Sequence, residues 1–119
     1  MRGRGQGRDC GVDGMNEREM TQEREARILE GAVSLYGEQA QIDMMIEEMS
    51  ELTKALCKYK RAQTDRTVDA VREEMADVQI MLNQMALVFG DFNEEEIAKL
   101  ERLEERMDAA QDAWMETAL

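Results

Sequence analysis

Apolar residues recur every three or four positions along most of this chain, with charged residues between them. That spacing places them on one face of an α-helix, and the alternating runs of Val, Ile, Thr and aromatic residues typical of strands are missing. The pattern predicts four helices, over about 16–36, 38–61, 67–89 and from 93 onward. We therefore expect an all-α protein.

The apolar stripe of each helix predicts which residues are buried. Cys57 lies near the stripe of the second helix and is expected to be an inert core thiol. The predicted core consists of the stripe residues: Ile28, Leu29, Ala32, Val33, Leu35, Ile42, Met45, Met49, Leu52, Leu56, Val71, Met75, Val78, Leu82, Met85, Phe89, Ile97, Leu100, Leu103, Met107, Ala110 and Trp114.

Polar residues and glycines mark where the predicted helices begin and end. Asn16 and Asn93 are expected N-caps, and three glutamates follow Asn93, where the helix dipole favours negative charge. Gly37 and Gly90 interrupt the helical pattern, and residues 62–66 form a short polar connection. Four helices with such short connections predict an antiparallel four-helix bundle.

The length of 119 residues predicts one folded domain, over 16–119. Residues 1–15 hold five of the eight glycines and little that is apolar, so they are expected to be a disordered N-terminal extension. Aromatic residues make up only 4% of the chain, which leaves a thin aliphatic and methionine-rich core. A helical domain this small often gains stability by oligomerisation, so a homodimer or homotetramer is expected.

Charge and composition exclude several classes of partner. The formal net charge of −12 disfavours binding to nucleic acid and to anionic membrane surfaces. The sequence contains neither a run of eighteen apolar residues nor an apolar segment of the signal-peptide type behind its Arg- and Gly-rich start.

Two cysteines do not make a disulfide framework. A reduced, cytoplasmic setting is expected.

Two matched pairs of carboxylates are the candidate functional residues: Glu48-x-x-Glu51 and Glu74-x-x-Asp77. Each pair has i, i+3 spacing, so its members project from one face of a helix, at the edge of the apolar stripe. Carboxylates turned toward a helix interface cost several kcal/mol unless they are partnered. Two such helices side by side would gather four acids, and a bound cation would relieve their repulsion.

The absence of histidine restricts the type of site. Oxygen-only ligands suit Mg²⁺, Mn²⁺ or Ca²⁺, whereas a di-iron carboxylate bundle needs Glu-x-x-His twice. Serine and cysteine hydrolases that rely on a histidine base are excluded for the same reason. An EF-hand starting at Asp91 is excluded because no glycine follows at the sixth loop position.

The sequence around the acid pairs, residues 46–56 and 73–78, resembles the MazG-like all-α nucleoside triphosphate pyrophosphatases. That family carries E-E-x-x-E, a gap of variable length, and then E-x-x-D. The matching residues here are Glu47, Glu48, Glu51, Glu74 and Asp77, with twenty-two residues between the two elements. The resemblance extends over about residues 28–106. The histidine or tryptophan that some members use to hold a base is not seen near the second helix, which leaves the preferred base open.

The resemblance implies Mg²⁺-dependent hydrolysis of a nucleoside triphosphate to the monophosphate and pyrophosphate, in nucleotide-pool housecleaning. Glu48, Glu51, Glu74 and Asp77 would bind Mg²⁺, with Mn²⁺ as a substitute. Such ions bridge the phosphates and acidify an attacking water. Because no histidine is present, a carboxylate must orient or deprotonate that water, and Glu47 is the expected residue.

A polyphosphate substrate would also need cations from the protein. Five basic residues fall within 54–66, at the end of the second helix and in the connection that follows. Lys54, Lys58 and Arg61 are the expected phosphate contacts. Gln41 and Gln84 are expected to reach the base or ribose.

The alternative is a non-catalytic, acidic helical module that binds a protein partner through its methionine-rich stripes. It predicts no specific dependence on Mg²⁺ and tolerance of Glu74→Gln.

Overall fold

The computed structural model describes residues 19–118, and this part of the chain contains four helices and no strand. The helices are α1 (Gln22–Tyr36), α2 (Glu38–Arg61), α3 (Asp65–Phe89) and α4 (Asn93–Ala118). The all-α class and the number of helices are confirmed, and α2 has the bounds that the sequence predicts. None of the described helices combines the length and apolar character needed to cross a membrane.

Helix α1 begins at Gln22, later than the sequence predicts, because Thr21 is its N-cap. The Thr21 hydroxyl accepts a hydrogen bond from the Arg24 backbone N–H at 3.0 Å, which satisfies one of the unpaired donors of the first turn. The predicted cap, Asn16, and the expected extension over 1–15 lie outside the described residues.

Helix α3 begins two residues earlier than predicted, after a reciprocal cap between Thr64 and Thr67. The Thr64 N–H donates to the Thr67 hydroxyl at 3.0 Å, and the Thr67 N–H donates to the Thr64 hydroxyl at 3.2 Å. The Thr67 hydroxyl in turn donates to the Ala62 carbonyl at 2.6 Å. The connection between α2 and α3 is therefore only residues 62–64, and its polar groups are largely satisfied.

Gly37 and Gly90 separate the helices as predicted. Their φ angles are +94° and +97°, and residues other than glycine rarely adopt positive φ values. Asn93, the predicted N-cap of α4, is instead the first residue of that helix. The Asp91 carboxylate accepts the Asn93 backbone N–H at 3.1 Å.

The chain divides into two compact units, with the division between Val88 and Phe89. The first unit contains α1, α2 and nearly all of α3. Among the described residues, the buried ones all belong to this unit: Gln41, Ala55, Met81 and Gln84.

None of the predicted core residues of the first unit is buried; each is half-buried or exposed. Met49, Leu56 and Met75 are 50%, 45% and 55% exposed, which corrects the prediction that they are buried. A helix buries only the part of its stripe that another helix covers, and the covered part is narrow here. Cys57 is also exposed, because it lies about 200° around α2 from the buried Ala55.

The second unit consists mainly of α4. Every described residue of this helix is exposed, including the stripe that the sequence predicts to be buried. Trp114 is 70% exposed, Met107 60% and Leu100 56%. The amphipathic pattern predicts the helix correctly, but it cannot predict what covers the apolar face.

Candidate metal centre

Three carboxylates from two helices form a cluster in the first unit. Oxygen atoms of Glu48 on α2 and of Glu74 and Asp77 on α3 all lie within 4.8 Å of one another. Oxygens at such separations can coordinate one hard divalent cation after small side-chain adjustments. We refer to these three residues as the acidic cluster.

A buried hydrogen bond between α2 and α3 lies in the same register as the cluster. The Gln41 side-chain amide on α2 donates to the Gln84 carbonyl oxygen on α3 at 2.6 Å. Seven residues further along α2 is Glu48, and seven residues back along α3 is Asp77. Seven residues are nearly two helical turns, so each carboxylate lies on the same face as its glutamine. Glu74 joins them because it lies one turn from Asp77.

The carboxylates of the cluster destabilise one another's charged forms. Partial burial raises the pKa of Glu48, and the negative charges of Asp77 and Glu74 raise it further. Partial burial also raises the pKa of Glu74, followed by the charge of Asp77 and a hydrogen bond between the two side chains. A cation bound among these oxygens would offset both causes, so the donor set fits a hard divalent ion.

Glu51, the fourth predicted ligand, lies beside the acidic cluster but is not one of its three members. Its carboxylate forms an ion pair with the Lys54 ammonium at 3.6 Å. Its charge nevertheless raises the pKa of both Glu48 and Glu74, which indicates that it is near them. The structure therefore brings together three of the four predicted ligands, with the fourth close by.

Glu47, the predicted catalytic residue, is exposed on α2 next to the cluster. Its charge contributes to the raised pKa of Glu48. Its backbone carbonyl accepts a hydrogen bond from the Ser50 hydroxyl at 2.8 Å, an interaction within the helix.

The predicted phosphate contacts are exposed along α2. Lys54 keeps 65% of its side-chain surface exposed while it contacts Glu51, and this is the one ion pair found within residues 19–118. Lys58 and Arg61 lie in the last turn of α2, where cations also interact favourably with the helix dipole. None of the three is buried.

Gln41 and Gln84, the predicted base or ribose contacts, are only 6% and 4% exposed. Besides accepting from Gln41, the Gln84 side chain donates to the Met81 sulfur at 3.6 Å. Their main observed interaction is with each other. The signal in the sequence was a glutamine on the inner face of each acid-bearing helix, and it did not distinguish a core pair from a ligand contact.

Gln41 also lines a cavity of about 520 Å³ that sequence reasoning missed. Tyr36 from the end of α1 and Asp43 and Met44 from α2 form the rest of its wall, together with Ala40. The break at Gly37 turns the chain between these two helices and so brings Tyr36 beside the start of α2.

Comparison of the chain with protein-family models, with curated proteins and with solved structures gives no significant match.

Proposed function

We propose that this protein hydrolyses a nucleoside triphosphate to the nucleoside monophosphate and pyrophosphate in the presence of Mg²⁺. The observation that supports this most directly is the acidic cluster, in which two sequence elements twenty-two residues apart contribute oxygens within 4.8 Å of one another. The resemblance of these two elements to the MazG-like pattern supplies the type of reaction.

Glu48, Glu74 and Asp77 would hold Mg²⁺, and Glu51 would join them by leaving its exposed ion pair with Lys54. That exchange costs little, because exposed ion pairs contribute only about 0–1 kcal/mol. Bound Mg²⁺ would offset the negative charge of the phosphates and lower the pKa of a water molecule, and Mn²⁺ would serve as a substitute.

Glu47 would orient the attacking water and accept its proton. The water oxygen attacks the α-phosphorus, the bond from that phosphorus to the α,β-bridging oxygen breaks, and pyrophosphate leaves. A carboxylate suits this role because the chain contains no histidine, and Glu47 is the exposed carboxylate adjacent to the cluster on α2.

Lys54, Lys58 and Arg61 would bind the phosphates. They form part of a basic stretch in a chain whose net charge is −12, and a polyphosphate needs such local positive charge. Gln41 would contact the base or ribose from the wall of the cavity, with Tyr36 as an aromatic surface beside it. Gln84 would act with Gln41 through the hydrogen bond that joins them.

The proposed setting is the cytoplasm, with a role in clearing nucleotides from the pool and with neither nucleic acid nor membrane as a partner. The working enzyme would be a homodimer or homotetramer. The extensive exposed apolar surface of both units supports association, since a large part of the predicted core is not covered in the single chain.

The second candidate function is a non-catalytic module that binds a protein partner. The observation in its favour is the same exposed apolar surface, above all the fully exposed stripe of α4. It gives no reason for three carboxylates to gather between α2 and α3, and it predicts that the acids of the cluster can be replaced without loss of function.

The test is release of pyrophosphate and monophosphate from a panel of normal and modified nucleoside triphosphates, with Mg²⁺ or with EDTA. We expect release by the wild type, loss in EDTA, and a loss of about 100-fold or more in Glu74→Gln. The matched control is Glu73→Gln, which removes the same charge one residue away on α3, outside the acidic cluster. If the folded wild type releases nothing from any nucleotide with Mg²⁺ present, the catalytic proposal is wrong.

A further inference from the structure

Helix α4 has an apolar stripe that nothing in residues 19–118 buries. The helix is 26 residues long, and all its described residues are exposed. Helices that lack tertiary packing are marginal in water, because their stability comes mostly from burial of an apolar face. The stripe of α4 therefore needs another protein surface to cover it.

The spacing of the stripe is that of a coiled coil. Its residues are separated alternately by three and four positions: Leu100, Leu103, Met107, Ala110 and Trp114. This places Leu100, Met107 and Trp114 at heptad positions a, and Leu103 and Ala110 at positions d. In a coiled coil these two positions face the partner helix.

Most acidic residues of α4 lie outside this seam; the exception is Glu96, at the d position one heptad before Leu103. The helix carries nine acidic and three basic residues, so self-association would fail if the acids lay at the contact. Seven of the nine lie at the outer positions b, c and f: Glu94, Glu95, Glu101, Glu105, Asp108, Asp112 and Glu116. Negative charge on the outer face repels less than charge at the seam, because solvent screens it.

The residues that flank the seam are complementary to a second copy in one orientation. Lys99 lies at position g and Glu104 at the following position e. In a parallel pair, a residue at position g faces the residue at position e five positions further along the partner helix. Lys99 of each copy therefore faces Glu104 of the other copy, which gives two such pairs in the dimer. In an antiparallel pair, g faces g, and Lys99 meets basic side chains or Ala113 instead.

We propose that α4 pairs in parallel with α4 of a second copy of this chain, through Leu100, Leu103, Met107, Ala110 and Trp114. The partner is a second copy of this chain, because Lys99 of one α4 and Glu104 of an identical parallel α4 carry opposite charges and face each other. This pairing does not depend on the proposed catalytic activity.

The first experiment tests proximity with disulfide formation in the full-length chain. In a background with both native cysteines replaced (Cys10→Ser and Cys57→Ser), Leu103→Cys places a thiol at position d, where parallel helices bring identical residues together. We expect a disulfide-linked dimer on a non-reducing gel after mild oxidation. The matched control, Glu105→Cys, places the thiol at the outer position f and is expected to stay monomeric on the gel.

The second experiment tests orientation with charge reversal, measured as the dimer Kd by sedimentation equilibrium. Lys99→Glu and Glu104→Lys are each expected to raise the Kd about tenfold, because each turns two attractions into repulsions. The double variant restores the attraction with the signs exchanged and is expected to return the Kd close to the wild-type value. These surface substitutions leave the helix itself intact, so folding does not confound the result.

Three outcomes would overturn the proposal. A wild-type chain that is monomeric at tens of micromolar would show that the stripe has another occupant or none. A dimer in which position 105 crosslinks as well as position 103 would exclude this seam. A dimer without rescue in the double variant would exclude parallel pairing, and would point to packing of α4 on the three-helix unit of the partner.

Discussion

The Gln41 side-chain amide donates a hydrogen bond to the Gln84 carbonyl oxygen at 2.6 Å, and both side chains are more than nine-tenths buried. This contact shows how α2 is aligned along α3. The same register places Glu48 seven residues from one glutamine and Asp77 seven residues from the other, where their carboxylates meet. The amide pair and the acidic cluster are therefore two consequences of one helix alignment.

Replacement of one glutamine of the pair is expected to destabilise the protein more than replacement of both. Gln41→Leu or Gln84→Leu alone leaves a buried amide without its partner, which should lower the free energy of unfolding by about 1–3 kcal/mol. The double variant Gln41→Leu, Gln84→Leu removes both polar groups and should recover most of that loss. Urea unfolding of the four chains forms a double-mutant cycle, and additive losses would contradict this account.

Glu74→Gln is expected to stabilise the protein without metal and to abolish its stabilisation by Mg²⁺. The substitution removes a carboxylate whose pKa is raised by burial and by Asp77, so it relieves repulsion in the folded state. The wild type should gain about 2.7 kcal/mol in free energy of unfolding at a Mg²⁺ concentration 100 times its Kd. Thermal unfolding with Mg²⁺ and with EDTA measures both effects, and equal Mg²⁺ responses in the two chains would exclude the cluster as the site.

Stability without metal is expected to fall as pH rises above the ordinary glutamate pKa of 4.5. The pKa values of Glu48 and Glu74 are raised in the folded state, so between 4.5 and the raised values the folded chain binds more protons than the unfolded chain. In that pH window, Glu48 and Glu74 therefore contribute a negative slope to the plot of unfolding free energy against pH.

Saturating Mg²⁺ should remove this fall, because the cation replaces the protons as the partner of the carboxylates. The comparison is urea unfolding across this pH range for the wild type and for Glu48→Gln with Glu74→Gln. The double variant lacks both raised groups, so a fall of the same size in it would show that other groups are responsible.

Glu47→Gln is expected to lower kcat by about 100- to 10,000-fold while Mg²⁺ binding remains. The amide keeps the size of the side chain but cannot accept the proton of the attacking water. Calorimetric titration with Mg²⁺ and steady-state kinetics separate the two properties. An unchanged kcat would show that another group activates the attacking water. A loss of Mg²⁺ binding would show that Glu47 is a metal ligand.

Lys54→Ala is expected to raise the KM for the triphosphate about tenfold, through loss of a charged contact to phosphate. Its effect on the free energy of unfolding should stay within about 0.5 kcal/mol, because its ion pair with Glu51 is exposed. Lys60→Ala is the control, since Lys60 is a lysine of the same helix that lies about 120° further round. Equal changes in KM for the two variants would indicate general electrostatic attraction rather than a specific contact.

The sequence predicts local structure well where a single strong signal marks a boundary. Helix α2 begins after Gly37 and ends at Arg61 as predicted, because a glycine with positive φ and a run of cations delimit it. The start of α1 is harder to predict, because Asn and Thr are both good capping residues and the sequence offers one of each; the structure shows the hydroxyl of Thr21 as the N-cap.

Burial was predicted less well, because it depends on what covers a helix face. The periodicity of α4 could not show that Trp114 is exposed, and the position of Cys57 at the stripe edge did not predict its exposure. For the site, the i, i+3 spacing identified Glu48, Glu74 and Asp77. It could not show that Glu51 pairs with Lys54, because that choice depends on side-chain positions within one helix turn.

The amide contact between α2 and α3 also determines where the chain can gain or lose residues. One residue inserted between Gln41 and Glu48, or between Asp77 and Gln84, would rotate a carboxylate by about 100° relative to its glutamine and break up the cluster. An insertion in residues 62–64 leaves both helices in register, since the glutamines still find each other. Length variation among related sequences should therefore concentrate in that connection and be nearly absent from the two helical segments.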